Sequence, residues 1–191
     1  LVTFRHTGSY LQGHPDMKHI PGVDMSTGSL GQGFSAAVGM ALAAKMDNKD
    51  YRVYVIAGDG ETQEGQIWEA ATFAGHRKLD NLVLVVDSNG LQIDGCVDMI
   101  CSPNPLDKKL EAFHFHVITI NGNNFDEIAS ALKEARATKG KPTAIVMKTQ
   151  KGQGVSFMEN NAGWHGKVPN TEEYNQAMQE LEKAGEALCQ K

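Results

Sequence analysis

GDGETQEG, Gly58 to Gly65, and DSNGLQIDG, Asp87 to Gly95, are the two stretches on which the reading of this chain turns. Each closes an apolar run, Val53–Ala57 and Leu82–Val86, of the length and composition of a buried strand. Asn89 follows Asp59 by 30 residues, about one strand–helix–strand crossover of roughly 30 residues. In a parallel sheet that unit returns to the same edge, so Asp59 and Asn89 are expected side by side at the carboxyl ends of neighbouring strands, where open α/β sheets bind ligands. A carboxylate, an amide oxygen and glycines that admit close backbone approach suit a hard cation carrying phosphates. The expected site is an octahedral Mg²⁺ with Asp59, Asn89 and the backbone carbonyl of Leu91 as ligands, the chain turning at Gly90. Phosphate oxygens and water complete the shell, because Mg²⁺ is seldom held by protein alone.

Outward from these stretches, the periodicity predicts strands at 52–57, 82–86, 116–120 and 143–147. Helices are expected at 65–78, 106–113 and about 126–138 between them, with a last helix from Thr171 to about Cys189. The alternation implies an α/β fold in three layers, a mainly parallel sheet flanked by helices on both faces. Ahead of it, STGSLGQGFSAAVGMALAAKM, residues 26–46, reads as a helix lined with alanine and glycine, with Ser26, Thr27 and Ser29 as N-cap candidates. Its glycine-rich start offers backbone N–H groups to an anion, although a buried helix with a flexible cap shows the same pattern. Residues 1–25 are rich in turn formers and carry His14 in GHP. Residues 148–170 form a long loop with Lys148, Lys151, four glycines and Trp164-His165, and loops beyond about 12–15 residues tend to be functional or disordered. The expected units are a domain over 1–170 and a terminal helix over 171–191.

Composition narrows the function classes. A net charge of −5 gives no general affinity for nucleic acid, and no apolar run reaches the length of a membrane span. Cys96, Cys101 and Cys189 are odd in number and lack C-x-x-C spacing, which favours a reducing, cytoplasmic setting over a disulfide framework. The chain opens on LVTFRHTGSY, without an initiating Met or the charged start of a signal peptide, the text expected from the middle of a longer protein. His114 and His116 have no third ligand at metal spacing and are expected to be structural. A phosphatase that places GDG at a strand end requires Asn-Asp soon after it, and here GDG continues as ETQEG.

GDG followed 30 residues later by Asn resembles the thiamine diphosphate signature. FRHTGSYLQGHP, TGSLGQGFSAAVGMALA, GDGETQEGQIWEA, KLDNLVLVVDSNGLQIDG and KTQKGQG with WHGKVP resemble, in order and spacing, the diphosphate-binding domain of transketolases, over about residues 1–170. The short GETQEG version is similar to bacterial enzymes whose transketolase is split into two polypeptides. The resemblance implies thiamine diphosphate as cofactor, anchored through Mg²⁺ (or Ca²⁺ or Mn²⁺) on Asp59, Asn89 and the Leu91 carbonyl, with the Gly60 backbone on the diphosphate. Gly28, Ser29 and Leu30 are implied to line the cofactor, Leu30 near its aminopyrimidine ring. Lys151 and His165 are implied to reach the diphosphate, His165 also facing substrate, and His14 to hydrogen-bond the donor sugar. Glu64, grouped with the cofactor site, matches a buried carboxylate that links two active sites across a dimer interface. Sugar phosphates are the implied substrates. The implied partner is a second domain or subunit carrying the glutamate that activates the aminopyrimidine, in a homodimer or heterotetramer. Related thiamine diphosphate enzymes such as deoxyxylulose-phosphate synthase, an atypical sugar phosphate, and a non-catalytic interaction fragment are the alternatives.

Overall fold

A computed structural model describes residues 3–189, the side chain of Cys189 excepted. Its elements run, in chain order, α1 (Gln32–Met46), β1 (Val53–Gly58), a 3₁₀ turn (Gly60–Gln63), α2 (Gly65–His76), β2 (Leu82–Ser88), the short strands β3 (Leu91–Gln92) and β4 (Gly95–Cys96), and α3 (Val97–Ile100). They continue with α4 (Leu106–Ala112), β5 (His116–Asn121), α5 (Phe125–Ala137), β6 (Thr143–Lys148), a second 3₁₀ turn (Ala162–Trp164) and α6 (Thr171–Cys189).

The four long strands form one parallel sheet in the order β1-β2-β6-β5. The chain passes from β2 to the outer position of β5 and then returns to insert β6 between them. Alternation along β2 explains the two-sided packing, since successive side chains of a strand point to opposite faces. Leu82, Leu84 and Val86 join Phe34, Ala37 and Ala41 of α1, Ile67 and Ala71 of α2, and Leu106 and Leu110 of α4 in one core. Val83 faces the other way, into a smaller core with Ile120, Ile145 and Ala131 and Ala135 of α5. The expected three-layer α/β architecture is present, with α1, α2 and α4 on one face and α5 on the other.

Alanines bring the first two helices close: Ala37, Ala41 and Ala44 of α1 and Ala71 and Ala74 of α2 are buried. Asp80 ties the amino-terminal side of the sheet together. Its carboxylate accepts from Lys45 Nζ at 2.6 Å and from Gly140 N at 2.9 Å, while its carbonyl accepts from Arg52 at 2.5 Å. Burial pushes the Asp80 carboxyl up, but the Gly140 N–H and Lys45 outweigh it and leave the group below its ordinary value.

The registers Gly58↔Asp87 and Ser88↔Lys148 bring the carboxyl ends of β1, β2 and β6 level. The loop after β6 is not structureless. Val155 is buried, Trp164 Nε1 donates to the Phe157 carbonyl at 3.0 Å, the two rings lie 5.2 Å apart, and Lys167 Nζ sits 4.1 Å from the Trp164 ring centre. Helix α6 docks on this loop: Ser156 donates through N and Oγ to Glu180 at 2.6 and 2.7 Å. Ala177 is its buried contact, and its larger apolar side chains Tyr174, Met178, Leu181 and Leu188 stay exposed.

His116 Nε2 lies 2.6 Å from Glu134 Oε1, a structural role as expected. Cys96 and Cys101 are free thiols. No helix among the described residues is long and apolar enough to cross a membrane.

Candidate functional site

Strand β1 ends at Gly58 and delivers Asp59 to the level carboxyl edge of the sheet, where the residue is only 2% exposed. The backbone of Asp59 is tied in three ways. Its N–H donates to the Asp87 carbonyl at 3.1 Å, and its own carbonyl accepts from Thr62 N at 3.1 Å and Thr62 Oγ1 at 2.6 Å. Thr62 is in turn held by Trp68, whose Nε1 donates to the Thr62 carbonyl at 2.8 Å. The 3₁₀ turn after GDG therefore works as a bracket, with an α2 side chain fixing the bend that aims Asp59.

The Asp59 carboxylate accepts from Gly60 N at 2.8 Å through Oδ1 and from Gly90 N at 2.6 Å through Oδ2. The second bond crosses from the β1 edge to the β2 edge and brings the two signature stretches together. Gly90 has φ 77°, in the left-handed region that favours glycine, so the chain does turn there. The juxtaposition is made through the backbone rather than side chain to side chain. Asn89 turns its amide nitrogen to Asp87 Oδ2 at 3.2 Å, and its Oδ1 accepts from Leu91 N at 2.9 Å. Asp87 also accepts from Thr149 Oγ1, and Lys148 Nζ donates to Ser88 Oγ at 3.1 Å. Thr149 joins Asp87 and Lys148 at the site although no motif signalled it, because β6 reaches β2 only in the folded sheet.

Burial pushes the Asp59 carboxyl above its ordinary value, and the negative Asp87 adds to the rise; the Gly90 and Gly60 N–H groups and Lys148 oppose it. Asp59 has no ion pair among the described residues. A buried carboxylate without a counterion is the condition a bound cation relieves, since buried charges are otherwise paired or bound to metals. The donors around it are hard oxygens, as Mg²⁺ requires. No group of three His, Cys, Asp or Glu side chains stands close enough to hold a metal among the described residues.

The loop before α1 supplies the next wall. The sequence pattern suggested Ser26, Thr27 or Ser29 as N-cap, but the cap is Gly31, at φ 78° and without a side-chain cap bond. Nor is the Gly31 N–H free for an anion: it donates to Glu61 Oε1 at 2.8 Å. Gly28 and His14 meet directly. A Cβ on Gly28, where φ is 124°, would lie 2.1 Å from His14 Nδ1. Leu30 is 52% exposed, and Ser29 beside it is exposed too. At Gly60 a Cβ would approach Gln92 Cβ to 2.9 Å, so glycine lets the turn pack under Gln92, and its N–H is taken by Asp59 Oδ1 at 2.8 Å. Gln63 Nε2 bonds Gln92 Oε1 at 2.6 Å and the Cys101 carbonyl at 2.7 Å, joining the 3₁₀ turn to the β3–β4 hairpin.

Lys151 lies in the turn after β6, and its carbonyl accepts from Asn160 N at 2.9 Å. The second 3₁₀ turn, which leads into His165, packs beside β4 and so brings the long loop back to the hairpin. The His165 side chain is exposed. Glu64 caps α2 without a side-chain bond and is exposed, with no hydrogen bond to the other site residues.

Residues 1–185 match the family described as "Transketolase, thiamine diphosphate binding domain". The chain is 50% identical over 185 residues to the 6-deoxy-6-sulfo-D-fructose transketolase subunit SqwG of Clostridium sp. (strain MSTE9), covering 97% of this chain and 67% of that protein. It is 42% identical over 186 residues to an apulose-4-phosphate transketolase subunit of Phocaeicola vulgatus, covering 97% of this chain and 66% of that one. Transketolase of Campylobacter jejuni superposes with a TM-score of 0.87 at 36% identity, over 93% of this chain and 29% of that structure. The chain thus spans about two thirds of the subunit-type relatives and less than a third of the longer enzyme. With GDG, the Gly90 turn and the STGSLG loop assembled at one sheet edge, this chain belongs to the transketolase family and corresponds to its thiamine diphosphate-binding domain.

Proposed function

We propose that this chain holds the charged end of thiamine diphosphate through Mg²⁺, as the diphosphate-binding part of a transketolase. The observation that carries the reading is the buried, unpaired Asp59 carboxylate, tied to the Gly90 turn at the open edge of the sheet. Asp59, the Asn89 amide oxygen and the Leu91 carbonyl are the metal's protein ligands. Asn89 needs only its second lone pair for this, because Leu91 N occupies the first. Lys151 takes the diphosphate, a charged ammonium being a strong partner for phosphate oxygens, and the Gly60 backbone lies against it while its N–H stays with Asp59. Leu30, with Gly28 and Ser29, lines the ring end, and His14, packed on Gly28, presents its imidazole to the sugar. His165 comes over from the long loop to the same edge.

Thiamine diphosphate, when bound, supplies the carbanion chemistry that moves a two-carbon ketol unit from a ketose to an aldose. What the chain contributes is anchoring, orientation and the exclusion of water. The substrate class is a sugar bearing a terminal anion. Two relatives named for a sulfonated and a phosphorylated sugar support that class without choosing between them. The group that activates the aminopyrimidine belongs to a partner domain or subunit, in keeping with the subunit designations of the relatives. Purified chain with Mg²⁺ and thiamine diphosphate should therefore transfer no ketol unit from xylulose 5-phosphate to ribose 5-phosphate until the partner is added. Substantial turnover by the chain alone would overturn the division of labour.

A further inference from the structure

The peptide unit joining Leu30 to Gly31 is gripped at both of its polar atoms. Its N–H donates to Glu61 Oε1 at 2.8 Å, and its carbonyl accepts from Gln66 Nε2 at 3.0 Å. The other oxygen of Glu61 accepts from Gly58 N at 3.4 Å, which connects the grip to the end of β1. Gln66 also lies over Gly31, where a Cβ would come within 2.7 Å of Gln66 Cγ. Only glycine leaves room for this contact and takes the φ of 78° found there.

Neither side chain serves its own helix in doing so. The start of α2 has no side-chain cap, yet Glu61 and Gln66, on either side of it, both reach across to a segment some 30 residues earlier. The packing of α1 on α2 does not depend on them, because buried alanines and Phe34 supply it. What the two contacts fix is the plane of a single peptide, and a peptide plane sets the direction of the residue before it. That residue, Leu30, belongs to neither core and is half exposed. Its orientation therefore comes from the backbone rather than from packing.

We propose that Glu61 and Gln66 are positioning residues that hold Leu30 in place for the uncharged ring end of the cofactor, separately from the anchoring of the diphosphate at Asp59. The inference rests on the thiamine diphosphate reading above. It separates two parts of one ligand, so two probes test it: thiamine diphosphate and inorganic pyrophosphate, each titrated with saturating Mg²⁺ into this chain by calorimetry. Glu61→Ala and Gln66→Ala should each raise the Kd for thiamine diphosphate about tenfold, as expected when one hydrogen bond worth about 1.4 kcal/mol is lost. The Kd for pyrophosphate should move less than about twofold. The double variant should lose little more than either single one, because freeing one end of the peptide already lets its plane rotate. Glu61→Gln keeps an acceptor for Gly31 N and should recover most of the affinity. In the cofactor-free protein, amide exchange at Gly31 should quicken about tenfold in Glu61→Ala, with the strands unchanged.

Equal weakening of both probes would overturn the inference in favour of a general structural role, as would unchanged binding of thiamine diphosphate or unchanged exchange at Gly31. If the unaltered chain binds neither probe, it is the cofactor reading that falls. The two failures are therefore distinguishable.

Discussion

Replacing Asp59 by alanine tests the anchor directly. The side chain is 2% exposed and accepts from Gly60 N and Gly90 N at 2.8 and 2.6 Å, so its removal leaves two largely buried donors without their partner. Each such orphan costs about 1–3 kcal/mol, and release of a desolvated charge offsets part of that. The net loss for the cofactor-free chain is about 1–3 kcal/mol. For a chain of this size each kcal/mol moves Tm by about 2–4 °C, giving a fall of roughly 2–12 °C with the sheet still folded. The ligand response separates anchoring from stability. At a hundredfold excess of cofactor over Kd, binding stabilises a protein by about 2.7 kcal/mol, so Mg²⁺ with thiamine diphosphate should raise the Tm of the unaltered chain by roughly 5–11 °C. In Asp59→Ala that rise should vanish. Thermal unfolding followed by far-ultraviolet circular dichroism, with and without ligands, measures both quantities. A ligand-induced rise of the same size in both proteins would refute the metal assignment.

Three further outcomes follow from other contacts. Gly28→Ala forces a Cβ to within 2.1 Å of His14 Nδ1 at a φ of 124°, so it should cost about 1–3 kcal/mol of strain and displace the imidazole. Thermal unfolding and the donor-sugar KM of the reconstituted enzyme check this. Gly75→Ala places a Cβ 2.1 Å from the Phe113 carbonyl oxygen, a backbone atom that cannot swing aside. A loss near the upper end of the overpacking range, about 3 kcal/mol, is expected in urea unfolding. Asp80→Asn removes the charge that Lys45 and the Gly140 N–H hold below its ordinary value. A lowered carboxyl stabilises the fold above its unfolded value of 3.8 and loses that contribution as pH falls through the lower folded value. The variant should therefore be less stable by about 1 kcal/mol at neutral pH, with the difference closing as acid protonates Asp80; unfolding midpoints across a pH series decide it.

The amino-acid sequence by itself determined the elements and which residue types meet at the sheet edge. Apolar runs bounded by Gly, Asp and Asn mark β1 and β2, and an interval of one crossover places GDG and Asn89 at adjacent strand ends. These signals are local or evenly spaced, which is why they survive without coordinates. The tertiary structure decided what depends on contacts between distant segments. The insertion of β6 between β2 and β5 leaves no local trace, and it alone brings Thr149 and Lys148 to Asp87 and Ser88. The cap of α1 went to Gly31 rather than to a serine or threonine because Glu61, arriving from beyond β1, takes the N–H a side-chain cap would otherwise compete for. The Asp59 carboxylate meets the backbone of Gly90 while Asn89 turns to Asp87, a choice made by the left-handed turn and the neighbouring strand. Residue type and spacing say which groups lie at an edge. Which of them touch is fixed by how the sheet brings its strands into register.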